Sequence, residues 1–183
     1  VTRNEKNAAN LLAAVPRAQR GAAYIFAEAR HHRRNERFKQ AASVMLKAPR
    51  DAASLVDPDA WWVERRVLSR ELLDIGDPAT AYKIAAAHSA ESPAQAVDAE
   101  FHAGWYAFRG LGDARTGARH FARIAEIADG PISLSRANYW LGRTAEAGGP
   151  GNARQYYERA AQYGTAFYGQ LAAAKLGRNI IPA

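Results

Sequence analysis

The stretch "YWLGRTAEAGGPGNARQYYERAAQYG", Tyr139 to Gly164, decides how the chain reads. It sets an aromatic and small-residue run, a glycine break and a second such run end to end. Helical runs joined through a short glycine turn form an αα-hairpin, and a hairpin that recurs at a fixed period specifies a different fold from one that occurs once. Here the period is present. Glycine breaks at Gly76, Gly112 and Gly148 stand 36 residues apart. Five residues after each break comes a small residue, Ala81, Gly117 or Ala153. Four further on stand Ala85, Phe121 and Tyr157, and three beyond those His88, Ile124 and Ala160. Each first helix is introduced by a proline, Pro58, Pro93 or Pro131, whose fixed φ suits a first helical turn.

The spacing therefore predicts, in each unit, a helix of about four turns, a glycine turn and a helix of about three turns. Trp61, Leu68, Leu72 and Ile75 follow the helical period as one apolar stripe, and Val97, Phe101, Trp105 and Phe108 form the next. Small residues at Ala81, Gly117 and Ala153 allow paired axes to approach closely. A less regular hairpin precedes them: "AAYIFAEARHHRR", a turn near Asn35, then "ERFKQAASVMLKAP" with Ala41 as its small residue and Pro49 as its end. "AFYGQLAAAKLG" is a closing helix terminated by Gly177. The expectation is an all-α fold of about nine helices, a superhelical solenoid of stacked, tetratricopeptide-like hairpins. One scaffold domain would cover residues 1–183, with a first irregular hairpin at 17–49, repeats of about 36 residues over 57–177, and a tail at 178–183. "NIIPA" reads as an extended lead into a further domain.

Composition narrows the partners. The 25 basic residues outnumber 18 acidic ones, giving +7, which favours anionic partners or else reflects a solvated helical surface with a basic bias. The absence of cysteine excludes disulfides and thiolate metal sites; it is permitted in any compartment and fits an oxidising one slightly better. No run is apolar enough to span a bilayer. Val1 without a preceding Met, and "VTRNEKNAAN" without the order of a signal peptide, read as a mature or cut piece of a larger protein.

Candidate chemistry is sparse. His31 and His32 lie about 100° apart on a helix among Arg30, Arg33 and Arg34, so they do not face one ion. Asp98 and His102 have i, i+4 spacing, half of a metal site, with no second ligand pair in view. No phosphate loop, Ser/His/Asp set or cysteine nucleophile can be assembled, so no catalytic, metal or cofactor residue is assigned and no cofactor is expected. Most of Glu64, Glu71, Glu100 and Glu158 have Arg nearby in sequence, and these carboxylates read as exposed ion pairs. Of the adjacent Trp61 and Trp62, one must point away from a single core face, and Trp62 is the candidate ligand-facing or partner-facing ring.

The order "DPDAWWVERRVLSRELLDIGDPATAYKIAAAH", "AEFHAGWYAFRGLGDARTGARHFARIAE" and "PISLSRANYWLGRTAEAGGPGNARQYYERAAQYGTAFYGQLAAAKLG" resembles the non-catalytic α-superhelical region of the soluble lytic murein transglycosylases of Gram-negative bacteria. The likeness runs from about Asp57 to Gly177 and is most specific from Trp140 onward. It implies a periplasmic parent enzyme that cleaves peptidoglycan glycan strands to 1,6-anhydromuramyl ends. The catalytic Glu of that family sits in a separate lysozyme-like domain, in a Glu-Ser motif followed by a Gly-Leu-Met-Gln motif. Glu91 and Ser92 form a Glu-Ser pair, but they fall in a hairpin connection and no Gly-Leu-Met-Gln follows. The resemblance thus implies a chain that is silent alone, docks its own catalytic domain and guides glycan strands.

Two rivals differ in class. A free-standing tetratricopeptide-like adaptor for a protein partner fits "YWLG" followed by Ala153, Tyr157 and Ala160, although the period is 36 rather than 34 residues. An RNA reader would need uniform polar code positions in every unit, which are lacking, so no nucleic-acid partner is expected.

Overall fold

A computed structural model describes residues 7–178. Of the expected tail at 178–183, residues 179–183 lie outside the described residues, as do residues 1–6 at the start. The described chain is all-helical, without a strand. It divides into two compact units, Val1–Gln95 and Ala96–Ala183.

In the first unit α1 (Ala8–Ala14) and a 3-10 turn (Arg17–Gln19) lead to a hairpin of α2 (Ala22–Arg34) and α3 (Phe38–Met45). A short α4 (Ala52–Leu55) precedes the hairpin of α5 (Pro58–Asp74) and α6 (Pro78–Ala86). Asp57 and Asp77 cap α5 and α6 by accepting from the amides of Ala60 and Thr80 at 2.9 and 3.0 Å, and proline opens both helices. α5 packs on α6 and on α3, while α2 pairs with α3. Met45, Leu68, Leu72 and Ile84 are buried there.

The second unit takes in most of α7 (Pro93–Trp105), which runs into a π-helical turn at Tyr106–Gly110. α8 (Ala114–Ile127), α9 (Pro131–Glu146), α10 (Ala153–Ala161) and α11 (Phe167–Lys175) follow. α9 is the central helix, packing on α8, α10 and α11. Its Ala137 and Leu141 join Val97, Phe121 and Ile124 in one core cluster, and Tyr139 joins Tyr157, Ala160 and Ala172 in another.

The three periodic glycines all adopt left-handed backbone, with φ of +79° at Gly76, +70° at Gly112 and +84° at Gly148. At Gly76 the following amide, Asp77, donates back to Leu72 at 2.8 Å, and after Gly148 the Gly149 amide donates to Thr144 at the same distance. These bonds satisfy carbonyls that a helix end leaves open. After Gly112 the Asp113 amide reaches one residue further back, to Ala107, because the π-helical turn accommodates an additional residue.

Eleven α-helices are described where about nine were expected, the additions being the short α1 and α4, which lie outside the periodic units. The Trp61 stripe also ends sooner than its spacing implied. Leu68 and Leu72 are fully buried, but Ile75 lies past the end of α5 and is 48% exposed.

Candidate functional site

Trp62 is fully buried, which corrects the expectation of an outward-facing ring. Adjacent residues do diverge by about 100° on a helix, but α5 is covered on more than one side. Trp61 meets Phe26 of α2 edge-on at 5.0 Å and donates its indole N–H to the Leu55 carbonyl. Trp62 faces His88, beyond the end of α6, at 5.9 Å.

Two carboxylates read as exposed are in fact buried. Glu64 accepts from both Nε and Nη2 of Arg33 and lies 3.6 Å from Arg30 Nε. Glu100 receives His120 Nδ1 at 2.6 Å and has Arg123 Nε at 3.7 Å. In each case these partners come from a different helix. Glu158, by contrast, makes a partly exposed pair with Arg154 of its own helix.

The Glu-Ser pair lies in the connection between α6 and α7, where the amides of Glu91 and Ser92 both donate to Asp59 Oδ1 at 2.9 and 3.2 Å. This fixes a loop rather than aiming a carboxyl group at a substrate. His102 Nδ1 contacts Asp98 Oδ1 at 3.4 Å and the Asp98 carbonyl at 2.8 Å, a contact within one helical turn. Burial lowers the basicity of His32, and the charges of His31 and Arg37 add to the effect while Glu28 opposes it. Among the described residues no three His, Cys, Asp or Glu side chains converge on one point, and no helix is long and apolar enough to cross a membrane.

A cleft of about 510 Å³ opens in the first unit between α2, α4 and α5, walled by Phe26, Leu55, Val56, Ala60 and Trp61. These walls are apolar apart from the Trp61 N–H, which is already bonded to the Leu55 carbonyl, so they offer little to orient a ligand.

The second unit offers more chemistry. α7, the π-helical turn after it, α8, α9 and α11 together assemble an aromatic face around Trp140. The Trp140 ring lies 5.8 Å from Phe121, 6.3 Å from both Phe101 and Phe108, 5.7 Å from Tyr139 and 6.5 Å from Tyr168. Arg136, one turn earlier on α9, places its guanidinium 4.4 Å from the Phe101 ring centroid. Burial lowers the Arg136 pKa, while Tyr168 and Asp98 act in the opposite direction. Arg136 Nε and Trp140 Nε1 are both buried without a hydrogen-bond partner among the described residues. Arg143 extends the row toward the C-terminal end of α9, donating to the Tyr139 hydroxyl at 3.3 Å and pairing with Glu146 at 3.3 Å.

The sequence reading treated Trp105 and Phe101 as stripe residues and did not single out Arg136. The available signal was the i, i+4 placement of Arg136 and Trp140 on a helix that follows an aromatic stripe. No family model, curated protein or solved structure matches this chain.

Proposed function

We propose that the chain is the non-catalytic α-superhelical scaffold region of a periplasmic peptidoglycan lytic transglycosylase. In this reading its hairpins stack as a tetratricopeptide-like solenoid, support a lysozyme-like catalytic domain and guide glycan strands in cell-wall turnover. The observation that carries it is the run of hairpins over Asp57–Gly177, where proline openings and left-handed glycine ends recur through the segment that resembles that family. The aromatic and arginine side chains on α9 suit it, because flat sugar faces stack on aromatic rings and stem-peptide carboxylates seek cations. The buried Glu64 and Glu100 also suit a non-catalytic role, since Glu64 is engaged by Arg33 and Glu100 by His120 instead of standing free in an apolar pocket.

The test begins with the parent reading frame beyond Ala183. A lysozyme-like block with Glu-Ser and then Gly-Leu-Met-Gln, within about one domain length, is the expected result. A stop codon there would favour the free-standing protein-binding adaptor instead. Incubated with sacculi, the chain alone should release no anhydromuropeptides, and their release by the chain alone would overturn its assignment as a silent scaffold.

A further inference from the structure

We propose that the cleft between α2, α4 and α5 is a docking site for a partner-protein segment in which a large apolar side chain stands next to a lysine or arginine. This goes beyond the scaffold reading and does not depend on it. The cavity, about 510 Å³, lies within the size range of ligand sites. Its wall is held in place from two sides. The Trp61 ring meets Phe26 edge-on at 5.0 Å, and its N–H is tied to the Leu55 carbonyl at 3.1 Å. Side chains fixed in this way present the same apolar surface to every visitor, which lowers the ordering cost of binding.

The mouth selects the size of the visitor. Gln19, Ser54, Val56 and Asp57 line the cleft and are all exposed, so it is open to solvent on that side. A free small molecule binds well when most of its own surface is covered, which so open a cleft does not provide. A side chain projecting from a larger partner has no such need, because the partner's neighbouring residues close the mouth and exclude water. Val56 supports this kind of contact. It is 93% exposed at φ +66°, where glycine would serve the turn better, so its contribution is the apolar surface it offers at the rim.

The rim also sets the sign of the partner's charge. What the apolar walls lack in orienting groups, Asp57 supplies. Its Oδ1 accepts from the Ala60 amide at 2.9 Å, it makes no ion pair among the described residues, and a carboxylate has lone pairs for further donors. Arg20, the basic residue next to Gln19 in sequence, is directed elsewhere: it donates to the Val15 carbonyl at 3.0 Å, and its guanidinium lies 5.0 Å from the Tyr24 ring centroid. In a chain of net charge +7, a carboxylate at the mouth of an apolar cleft attracts a local cation and disfavours an acidic segment. Lysine and arginine suit the rim in two ways, since the aliphatic stem covers apolar surface such as Val56 while the charged end reaches Asp57.

Titration of the nitrogen-15-labelled full chain, read at the Trp61 indole N–H, tests the site; the spectrum of Trp61→Phe identifies that resonance. The probe is the peptide acetyl-Gly-Phe-Lys-Gly-amide, compared with versions that carry Glu or norleucine in place of Lys, or Ala in place of Phe. The Phe-Lys probe should shift the resonance saturably, the Ala version should not, and the Glu version should bind at least about threefold more weakly. Asp57→Asn keeps the helix cap and should bind the Lys and Glu versions alike. Val56→Gly should bind the Phe-Lys probe about threefold more weakly while its urea midpoint rises, a combination that misfolding cannot produce. No saturable shift, or equal binding of the Phe and Ala versions, overturns the docking site. Equal binding of the Lys and Glu versions by wild type, or a preference that survives Asp57→Asn, overturns the basic partner. Norleucine binding as tightly as Lys would mark a purely apolar cavity and overturn it as well. Unchanged affinity in Val56→Gly overturns the rim contact. None of these outcomes bears on the scaffold reading, which stands or falls with the parent reading frame.

Discussion

Gly142→Ala tests the close approach on which the second unit depends. Gly142 lies on α9 opposite Tyr157 of α10, and a Cβ added there would stand 2.5 Å from Tyr157 Cε1 and 2.8 Å from Cδ1 and Cζ. Ordinary carbon contacts begin near about 3.5 Å, so the ring would have to recede by about 1 Å. It has little room: Tyr157 is 4% exposed, Tyr139 lies 5.8 Å from it and the Lys175 ammonium lies 5.9 Å from its centroid. Overpacking of this kind costs about 1–3 kcal/mol. The gain in helix propensity from Gly to Ala returns about 1 kcal/mol. Because the buried ring cannot swing aside, the cost falls in the upper part of that range, about 2–3 kcal/mol, and the expected net effect is a loss of about 1–2 kcal/mol, read as a lower urea midpoint at unchanged m-value. Adding Tyr157→Leu should recover part of that loss, giving a clear coupling energy in the double-mutant cycle. Gly148→Ala is the contrasting control, because nothing lies within 4 Å of its Cβ and the penalty is confined to its φ of +84°. A Gly142→Ala protein as stable as wild type, or strict additivity with Tyr157→Leu, would refute the reasoning.

At Glu36 an exposed non-glycine residue holds a φ of +58° at the turn after α2, so Glu36→Gly should stabilise by about 0.5–1 kcal/mol, with a higher urea midpoint. Val56, 93% exposed, sits at φ +66° and ψ −46° in a strained γ-turn closed by the Asp57 amide on the Leu55 carbonyl, and Val56→Gly should likewise raise the midpoint. Glu64→Gln removes the negative charge that faces Arg30 and Arg33, and it should lower stability by about 3 kcal/mol in the same assay. Asp77 and Asp113 have pKa values held below the ordinary 3.8 chiefly by the amides they cap, at Thr80 and Thr116. The unfolded chain therefore binds protons first, so this stabilisation is present above pH 3.8 and is lost as the pH falls through the folded values. Below about pH 4 the wild-type urea midpoint should drop more steeply than that of the Asp77→Asn/Asp113→Asn protein, which keeps its caps but does not titrate.

What could be read from the sequence follows from where each physical constraint resides. Gly76, Gly112 and Gly148 reveal their turns because left-handed φ is a property of one residue, and Pro58 and Pro131 mark helix starts for a similarly local reason. Even so, Glu36 occupies such a turn without glycine, so the first hairpin looked irregular in sequence although its amides close the turn in the same way, Arg37 onto His32. Trp62 defeated the reading because helical periodicity separates two faces but does not say how many of them are covered. Glu64 and Glu100 defeated it because their partners, Arg33 and His120, lie 31 and 20 residues away, beyond any neighbour rule. Gly104 shows the same difference: it resembles any helical glycine, yet an added Cβ would stand 2.7 Å from Phe121, across a contact that pairing alone creates. The aromatic face around Trp140 is the extreme case, since Phe101, Phe121 and Tyr168 come from three other helices and meet this ring only when those helices pack. Such a meeting is recognised only after the surrounding positions are known, so a turn can be read locally while this face cannot.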